Sequence, residues 1–166
     1  MRKEKVLPLI FDIHHCALDD GPGIRTTVFI KGCPLSCRWC HNPESIKKRT
    51  EIAFYPQLCV GCGSCQSICP EDAINFDNPG RIMRTRCNVC GKCVAECPAT
   101  ALKTIGKYYA PGELVELLLD DCAFYEVSGG GVTFSGGEPT IYMDYVSEVM
   151  QRLRKNNIHI ALQTSG

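Results

Sequence analysis

Apolar residues along this chain recur at two periods, and segments of the two kinds alternate. Ile24–Lys31 (I-R-T-T-V-F-I-K) is β-branched and aromatic, which predicts a strand. Pro111–Ala123 sets Leu114, Leu117 and Leu118 at helical spacing, and Pro111 suits the first turn of a helix. Gly131–Ser135 (G-V-T-F-S) predicts a short buried strand running into Gly136-Gly137. Over Thr140–Asn156, Ile141, Tyr145, Val149 and Leu153 recur every four residues. Val146 and Met150 widen that stripe, and Asn156-Asn157 marks its stop. Ile158–Leu162 (I-H-I-A-L) predicts another strand. Strands alternating with helices imply an α/β fold with a parallel sheet of βα units.

The pattern breaks between Glu51 and Gly106, where a repeat takes over. Cys59-Val-Gly-Cys62-Gly-Ser-Cys65-Gln-Ser-Ile-Cys69-Pro70 reads C-x2-C-x2-C-x3-C-P. Cys87-Asn-Val-Cys90-Gly-Lys-Cys93-Val-Ala-Glu-Cys97-Pro98 reads the same, 28 residues later. Each copy has a small, apolar tail, ending in Ala73-Ile74 and Ala101-Leu102. Residues 51–106 therefore form one pseudo-symmetric module. It is inserted in a βα domain made of residues 1–50 and 107–166, after that domain's first strand and the loop that follows.

Composition changes the picture in one respect. Thirteen of 166 residues are cysteine, an odd number gathered in tight runs. A secreted disulfide scaffold would spread paired cysteines along the chain, whereas close runs let several thiolates converge on one metal centre. That favours a reducing, oxygen-poor, cytoplasmic setting. Lys+Arg and Asp+Glu are 18 each, so no bulk basic field points to nucleic acid. The apolar run Val6–Phe11 is far shorter than the ~18 residues of a membrane span. Arg2–Lys5 before it imitates a signal peptide, but the run is too short and no small-residue cleavage site follows.

Three constellations carry candidate chemistry. The repeat is the bacterial two-cluster ferredoxin pattern, in which the fourth cysteine of each run ligates the other cluster. That assigns Cys59, Cys62, Cys65 and Cys97 to one [4Fe–4S] centre, and Cys87, Cys90, Cys93 and Cys69 to the other. A pair of zinc knuckles is the alternative, although zinc sites ordinarily have a longer spacer between ligand pairs. Directly after the first strand, Cys33-Pro-Leu-Ser-Cys37-Arg-Trp39-Cys40 reads C-x3-C-x2-C. Three thiolates leave one iron of a [4Fe–4S] cube without a protein ligand, and an open position separates catalytic from structural metal sites. Zinc completed by His41 is the alternative, and the place at a strand's carboxyl end weighs against it. The third constellation is Ser128–Pro139, where a strand ends in Gly136-Gly137-Glu138. Glycines there let backbone approach a ligand, and the carboxylate can hold an ammonium. A glycine-rich turn with a helix-capping Glu138 is the plainer alternative.

Taken together, C-x3-C-x2-C after one strand and Gly-Gly-Glu after the next resemble the radical S-adenosylmethionine (SAM) superfamily. Asp20-Gly-Pro-Gly-Ile-Arg-Thr-Thr27, Lys31-Gly-Cys-Pro34, Trp39-Cys-His-Asn-Pro-Glu44 and Ser128-Gly-Gly-Gly-Val-Thr-Phe-Ser-Gly-Gly-Glu-Pro139 sharpen the match. In fixed order they resemble the glycyl-radical-enzyme activating enzymes, in the branch that carries a two-cluster ferredoxin insert. The resemblance covers essentially the whole chain. It implies a partial (βα)6 barrel with an inserted α+β 2[4Fe–4S] ferredoxin domain. By similarity Cys33, Cys37 and Cys40 hold the catalytic cluster, whose fourth iron is chelated by SAM. Trp39, Cys40 and His41 fall where the family meets the adenine end, and Gly136, Gly137 and Glu138 where it binds the methionine amino group. The implied reaction cleaves SAM reductively to a 5′-deoxyadenosyl radical, which takes a hydrogen atom from a glycine of a large partner enzyme. Flavodoxin or ferredoxin is the implied electron donor. The two insert clusters would relay the electron, or serve docking or structure.

Some residues stay open. Asp20–Arg25 would face the partner's glycine loop, or would simply meet the backbone demands of Gly21-Pro22-Gly23. Cys16, Cys122, His14, His15 and His159 belong to no constellation, and Arg152, Arg154 and Lys155 read as a solvated helix face. Gln163 stands where the family often has an acidic residue at a proposed monovalent-cation site, while Thr164 matches. Without the 56-residue insert, 110 residues remain, about half of six βα units. The chain accordingly reads as a fragment, a truncated or split product, or one half of a two-chain enzyme. An electron-transfer protein that has lost catalysis and a zinc-stabilised interaction module are the competing functions.

Overall fold

The computed structural model describes residues 7–166. In chain order the elements are β1 (Leu9–Ala17), β2 (Arg25–Ile30), β3 (Glu51–Phe54), α1 (Ser64–Ser67), α2 (Lys92–Ala95), β4 (Leu102–Ile105), β5 (Lys107–Tyr108), α3 (Pro111–Leu119), α4 (Cys122–Ser128), β6 (Gly131–Gly136), α5 (Met143–Lys155) and β7 (His159–Leu162). They form two units. One contains the described residues up to Arg49 together with Gly106–Gly166; the other is Thr50–Ile105.

The first unit is built on a five-stranded sheet ordered β5-β1-β2-β6-β7. β2, β6 and β7 run parallel, with Val28 opposite Phe134 and Phe134 opposite Leu162. The sheet is nevertheless mixed, because β1 lies antiparallel to β2 and carries the short β5 on its outer side. The strands expected from the alternation do pair in parallel, and what the pattern missed are β1 and β5, so β2 is the second strand in the chain rather than the first. β1 escaped the periodicity because two register irregularities interrupt it and only its first residues are buried. An edge region with a wet face leaves weak alternation to read. Val6 and the Arg2–Lys5 segment lie outside the described residues.

Two helix predictions also change. The single helix expected over Pro111–Ala123 is two, α3 and α4, broken at Asp120-Asp121. There the Asp121 carboxylate accepts from Thr26 Oγ1 at 2.5 Å and meets His15 Nδ1 at 2.5 Å. Asp121 has left helical backbone geometry there, and its carbonyl begins the next helix by accepting from Phe124 and Tyr125 N–H at 3.0 and 3.3 Å. The helix expected from Thr140 starts as a tight 3-10 turn over Pro139–Tyr142, and Ile141 is partly exposed there instead of joining the stripe. Tyr145, Val146, Val149 and Leu153 of α5 are buried as the spacing requires. They pack with Leu114 and Leu118 of α3 against Val28 and Ile30 of β2 and Val132 and Phe134 of β6.

The alternate positions of the same strands are mostly polar, with Phe29 the apolar exception, packed against Phe11 and His14. Arg25, Thr27, Thr133 and Ser135 are all buried on the opposite side of the pleat. The 28-residue repeat governs the second unit. α1 and α2 are equivalent single turns, each entered through a left-handed glycine, Gly63 at φ 80° and Gly91 at φ 77°. Asp72 and Thr100 repeat φ 48° and 50°. β3 and β4 pair antiparallel beside an Ile74–Ile82 bridge, over a core of Ile52, Ile74, Ile82, Cys93 and Leu102. Among the described residues no helix is long and apolar enough to cross a membrane.

Candidate metal centres and the Gly-Gly-Glu turn

β2 delivers the chain at its carboxyl end into the loop carrying Cys33, Cys37 and Cys40. The loop is pinned at its stem. Gly32 N–H donates to Ser45 O at 2.6 Å and Cys33 N–H to Ile46 O at 3.0 Å. Lys31, fully buried, donates its ammonium to the Glu44 carbonyl. Ser45 Oγ closes the last turn onto Asn42 O at 2.6 Å. Beyond the stem the residues reach solvent. Cys37 is exposed, Cys33 and Cys40 are half-buried, Trp39 is 79% exposed and His41 is exposed.

The Gly-Gly-Glu turn at the end of β6 lies directly against this stem. Gly137 N–H donates to Ile30 O and Glu138 N–H to Gly32 O, both at 2.8 Å. A Cβ on Gly137 would stand 2.4 Å from Gly32 O, so only glycine permits this approach. Glu138 is buried and its carboxylate is saturated with donors from its own chain. Oε1 accepts from Thr140 N–H at 3.1 Å, Thr140 Oγ1 at 2.7 Å and Thr164 Oγ1 at 2.9 Å. Oε2 accepts from Ser165 N–H at 2.8 Å and Ser165 Oγ at 2.6 Å. Burial raises the carboxyl pKa, but the Ser165 and Thr140 donors outweigh it and hold the group down at about 2. Glu138 thus ties the segment after β7 to the end of β6 and caps the Pro139–Tyr142 turn.

The polar face of the sheet is organised from the Asp20–Arg25 segment. Asp20 accepts from Thr27 Oγ1 at 2.6 Å through its carboxylate and from Thr133 Oγ1 at 2.9 Å through its carbonyl. Gln163 bridges it to β6, donating to Asp20 Oδ1 at 3.1 Å and accepting from Ser135 Oγ at 2.5 Å. Arg25 has no exposed surface and donates to Thr133 Oγ1, Val132 O and Pro22 O. Lys31, Thr133 and Ser135 stood inside motifs read from sequence but had no role assigned, and Ser165 was not singled out. For Thr133 and Ser135 the signal of a buried polar face is their alternation along β6.

The module's eight cysteines fall into two recesses. One is lined by Cys59, Cys62, Cys65 and Cys97 among Phe54, Val60, Phe76 and Leu102. The other is lined by Cys69, Cys87, Cys90 and Cys93 among Ile52, Ala73, Ile74 and Ile82. Each recess combines three thiols of one run with the fourth of the other. Burial, followed by the neighbouring Cys69, Cys87 and Cys90, pushes the Cys93 thiol up to about 11. Burial likewise raises Cys65, while Ser64, through its N–H and hydroxyl, lowers the exposed Cys62. Ala73 N–H donates to Cys69 Sγ at 3.3 Å. Four thiols with apolar walls and a backbone donor to sulfur are a donor set that fits an iron–sulfur cluster. Cys16 is exposed and Cys122 half-buried, and neither lines a recess.

With three cysteines on a pinned loop and Gly-Gly-Glu beside it, comparison with known proteins gives a consistent answer. Residues 19–166 match the family described as a 4Fe-4S single cluster domain, a radical SAM domain, and the chain belongs to that family. It is 47% identical over 165 residues to the benzylsuccinate synthase activating enzyme of Thauera aromatica, covering 96% of this chain and 50% of that protein. It is 42% identical over 169 residues to the isethionate sulfite-lyase activating enzyme of Desulfovibrio desulfuricans, covering 98% and 54%. To the 4-hydroxyphenylacetate decarboxylase activating enzyme of Clostridium scatologenes it is 41% identical over 166 residues, covering 95% and 53%. The chain spans about half the length of these relatives.

Proposed function

We propose that this chain is the cluster-bearing part of an activating enzyme that generates a glycyl radical on a partner enzyme. Its first unit is read as half of a partial (βα)6 barrel, residues 1–50 and 107–166, and residues 51–106 as a ferredoxin-type 2[4Fe–4S] insert. The single observation that carries the reading is the loop of Cys33, Cys37 and Cys40 held against Gly136-Gly137-Glu138 at the carboxyl ends of adjacent parallel strands. Open α/β sheets bind ligands at that edge.

Cys33, Cys37 and Cys40 would hold one [4Fe–4S] cluster, and the two recesses two more. Bound together, the open cluster and SAM would supply the electron and the radical chemistry that removes a hydrogen atom from the partner's glycine. The chain's own residues supply position. Gly136 and Gly137 bring backbone close to the methionine end of SAM. Glu138 contributes through the turn it caps and the Thr164-Ser165 segment it holds. Exposed Trp39 and His41 offer surfaces for the adenine end. Asp20, bridged to Thr27 and Gln163, holds the segment proposed to meet the glycine loop. A flavodoxin or ferredoxin in the cytoplasm is the proposed donor.

Iron, sulfide and zinc analysis of anaerobically prepared protein, with EPR in the presence and absence of SAM, tests this. Three [4Fe–4S] clusters, one with a SAM-sensitive signal, are expected. Two SAM-insensitive clusters would mark an electron-transfer protein instead, and zinc would overturn the reading.

A further inference from the structure

Building on the reading that each recess of the module holds an iron–sulfur centre, we propose that Arg81 makes those two centres unequal. It raises the reduction potential of the one held by Cys59, Cys62, Cys65 and Cys97, with Glu71 adding to the difference by lowering the other. A single electron taken up by the module therefore rests on the Cys59 centre.

The 28-residue repeat shows where the symmetry fails. Subtracting the offset pairs Ala101 and Leu102 of the first recess with Ala73 and Ile74 of the second, which are residues of like character. The same offset pairs Ala99 of the first recess with Glu71 of the second. Arg81 lines the first recess, while its counterpart, Ala53, lines neither. The repeat is thus broken by a cation on one side and an anion on the other, and both act in the same direction. A reduced cluster carries one more negative charge, so a nearby cation favours reduction and a nearby anion opposes it.

Arg81 is fixed in place. Its guanidinium lies 3.7 Å from the Phe76 ring centroid and 5.4 Å from that of Phe54, both lining the same recess. Nη1 donates to Phe76 O at 3.1 Å. Its backbone, at φ 58°, donates to Asn78 O and accepts from Asn75 N–H, each at 2.8 Å. The half-buried side chain is screened less than a surface charge. Glu71 accepts from Asn88 Nδ2 at 3.0 Å, and Asn88 lines the second recess with it. Glu71 is exposed, so its effect is the smaller. Charges of opposing sense are Glu96 near Cys62, Lys92 beside Cys93, Arg86 beside Cys87 and paired with Asp72, and Arg84, whose Nη1 donates to Ile52 O at 2.6 Å. All are exposed and none lines a recess, so they offset part of the difference without the fixed placement of Arg81.

The test is an EPR-monitored potentiometric titration of the anaerobic full chain, its Arg81→Gln, Arg81→Lys and Glu71→Gln variants, and Cys62→Ser to assign the upper signal. Two different midpoints are expected in the parent, beside the SAM-sensitive centre. Arg81→Gln should lower the upper midpoint by about tenfold in reduction equilibrium, 59 mV for one electron. Arg81→Lys should restore most of it, a rescue that a merely structural role would not predict. Glu71→Gln should raise the lower midpoint by less. Equal midpoints in the parent, or an unmoved upper midpoint in Arg81→Gln at unchanged iron content, would overturn the inference and leave the cluster reading intact. Should Arg81→Gln fail to fold, a gap between the two midpoints that narrows in Glu71→Gln supports the inference, and a gap that Glu71→Gln leaves unchanged counts against it. No iron–sulfur signal in the parent would overturn both.

Discussion

The two groups of cysteines are held in opposite ways. In the module, Cys93 is buried in the core with Ile52, Ile74, Ile82 and Leu102, and Cys65, Cys69, Cys87 and Cys97 pack against it. Their turns are set by matched left-handed residues such as Gly63 and Gly91. Cys33, Cys37 and Cys40 sit on a loop whose order comes from its stem, with one bond inside it, Cys40 N–H to Cys37 O at 3.2 Å. On the proposed reading a complete set of four thiolates can stand against a core, here with Cys62 and Cys90 at its exposed rim. On the same reading the set of three has to admit a further ligand, and its loop is held from its stem only. What stands against that stem is the Gly-Gly-Glu turn and the carboxylate that organises it.

The largest expected effect breaks the open site alone. Cys37→Ala should abolish reductive SAM cleavage and remove about a third of the iron, while both insert signals persist. Loss of insert iron in the same variant, by elemental analysis and EPR, would count against independent sites. Next, Cys69→Ala should damage the centre shared with Cys87, Cys90 and Cys93 and spare the one held by its own run. An EPR spectrum in which only the Cys59 centre is disturbed would refute the crossed arrangement.

Glu138→Gln sharpens the comparison through stability. The folded carboxyl sits at about 2 against an ordinary 4.5. Its contribution is therefore complete above about pH 4.5 and is lost as pH falls towards 2. The difference corresponds to about 3 kcal/mol at neutral pH. Urea unfolding at pH 7 should show a loss of that order in the variant, with a weaker pH dependence below 4.5 than the parent. Gly137→Ala is smaller. Its methyl would press on the Gly32 carbonyl, costing about 1–3 kcal/mol, read as a lower denaturant midpoint. An unchanged midpoint would mean that the turn and the stem can part freely.

Local spacing determined much of this protein. The three parallel strands, the α5 stripe of Tyr145, Val149 and Leu153, and the module's repeat were legible because each depends on a short period or a fixed interval along the chain. Tertiary structure decided the rest. β1 joins antiparallel to β2, the next strand in the chain, and takes up the distant β5 on its other side, but its own alternation is interrupted and does not mark it as a strand. Asp121, at the break between α3 and α4, meets Thr26 and His15, about a hundred residues away. Glu138 was legible as a residue of interest, but its part as an anchor rests on Thr164 and Ser165, which reach it only once β7 is paired beside β6. Periodicity reports which face of an element is buried. It carries no information on which distant donor will meet a buried carboxylate, and that is settled only when the sheet brings its strand ends together.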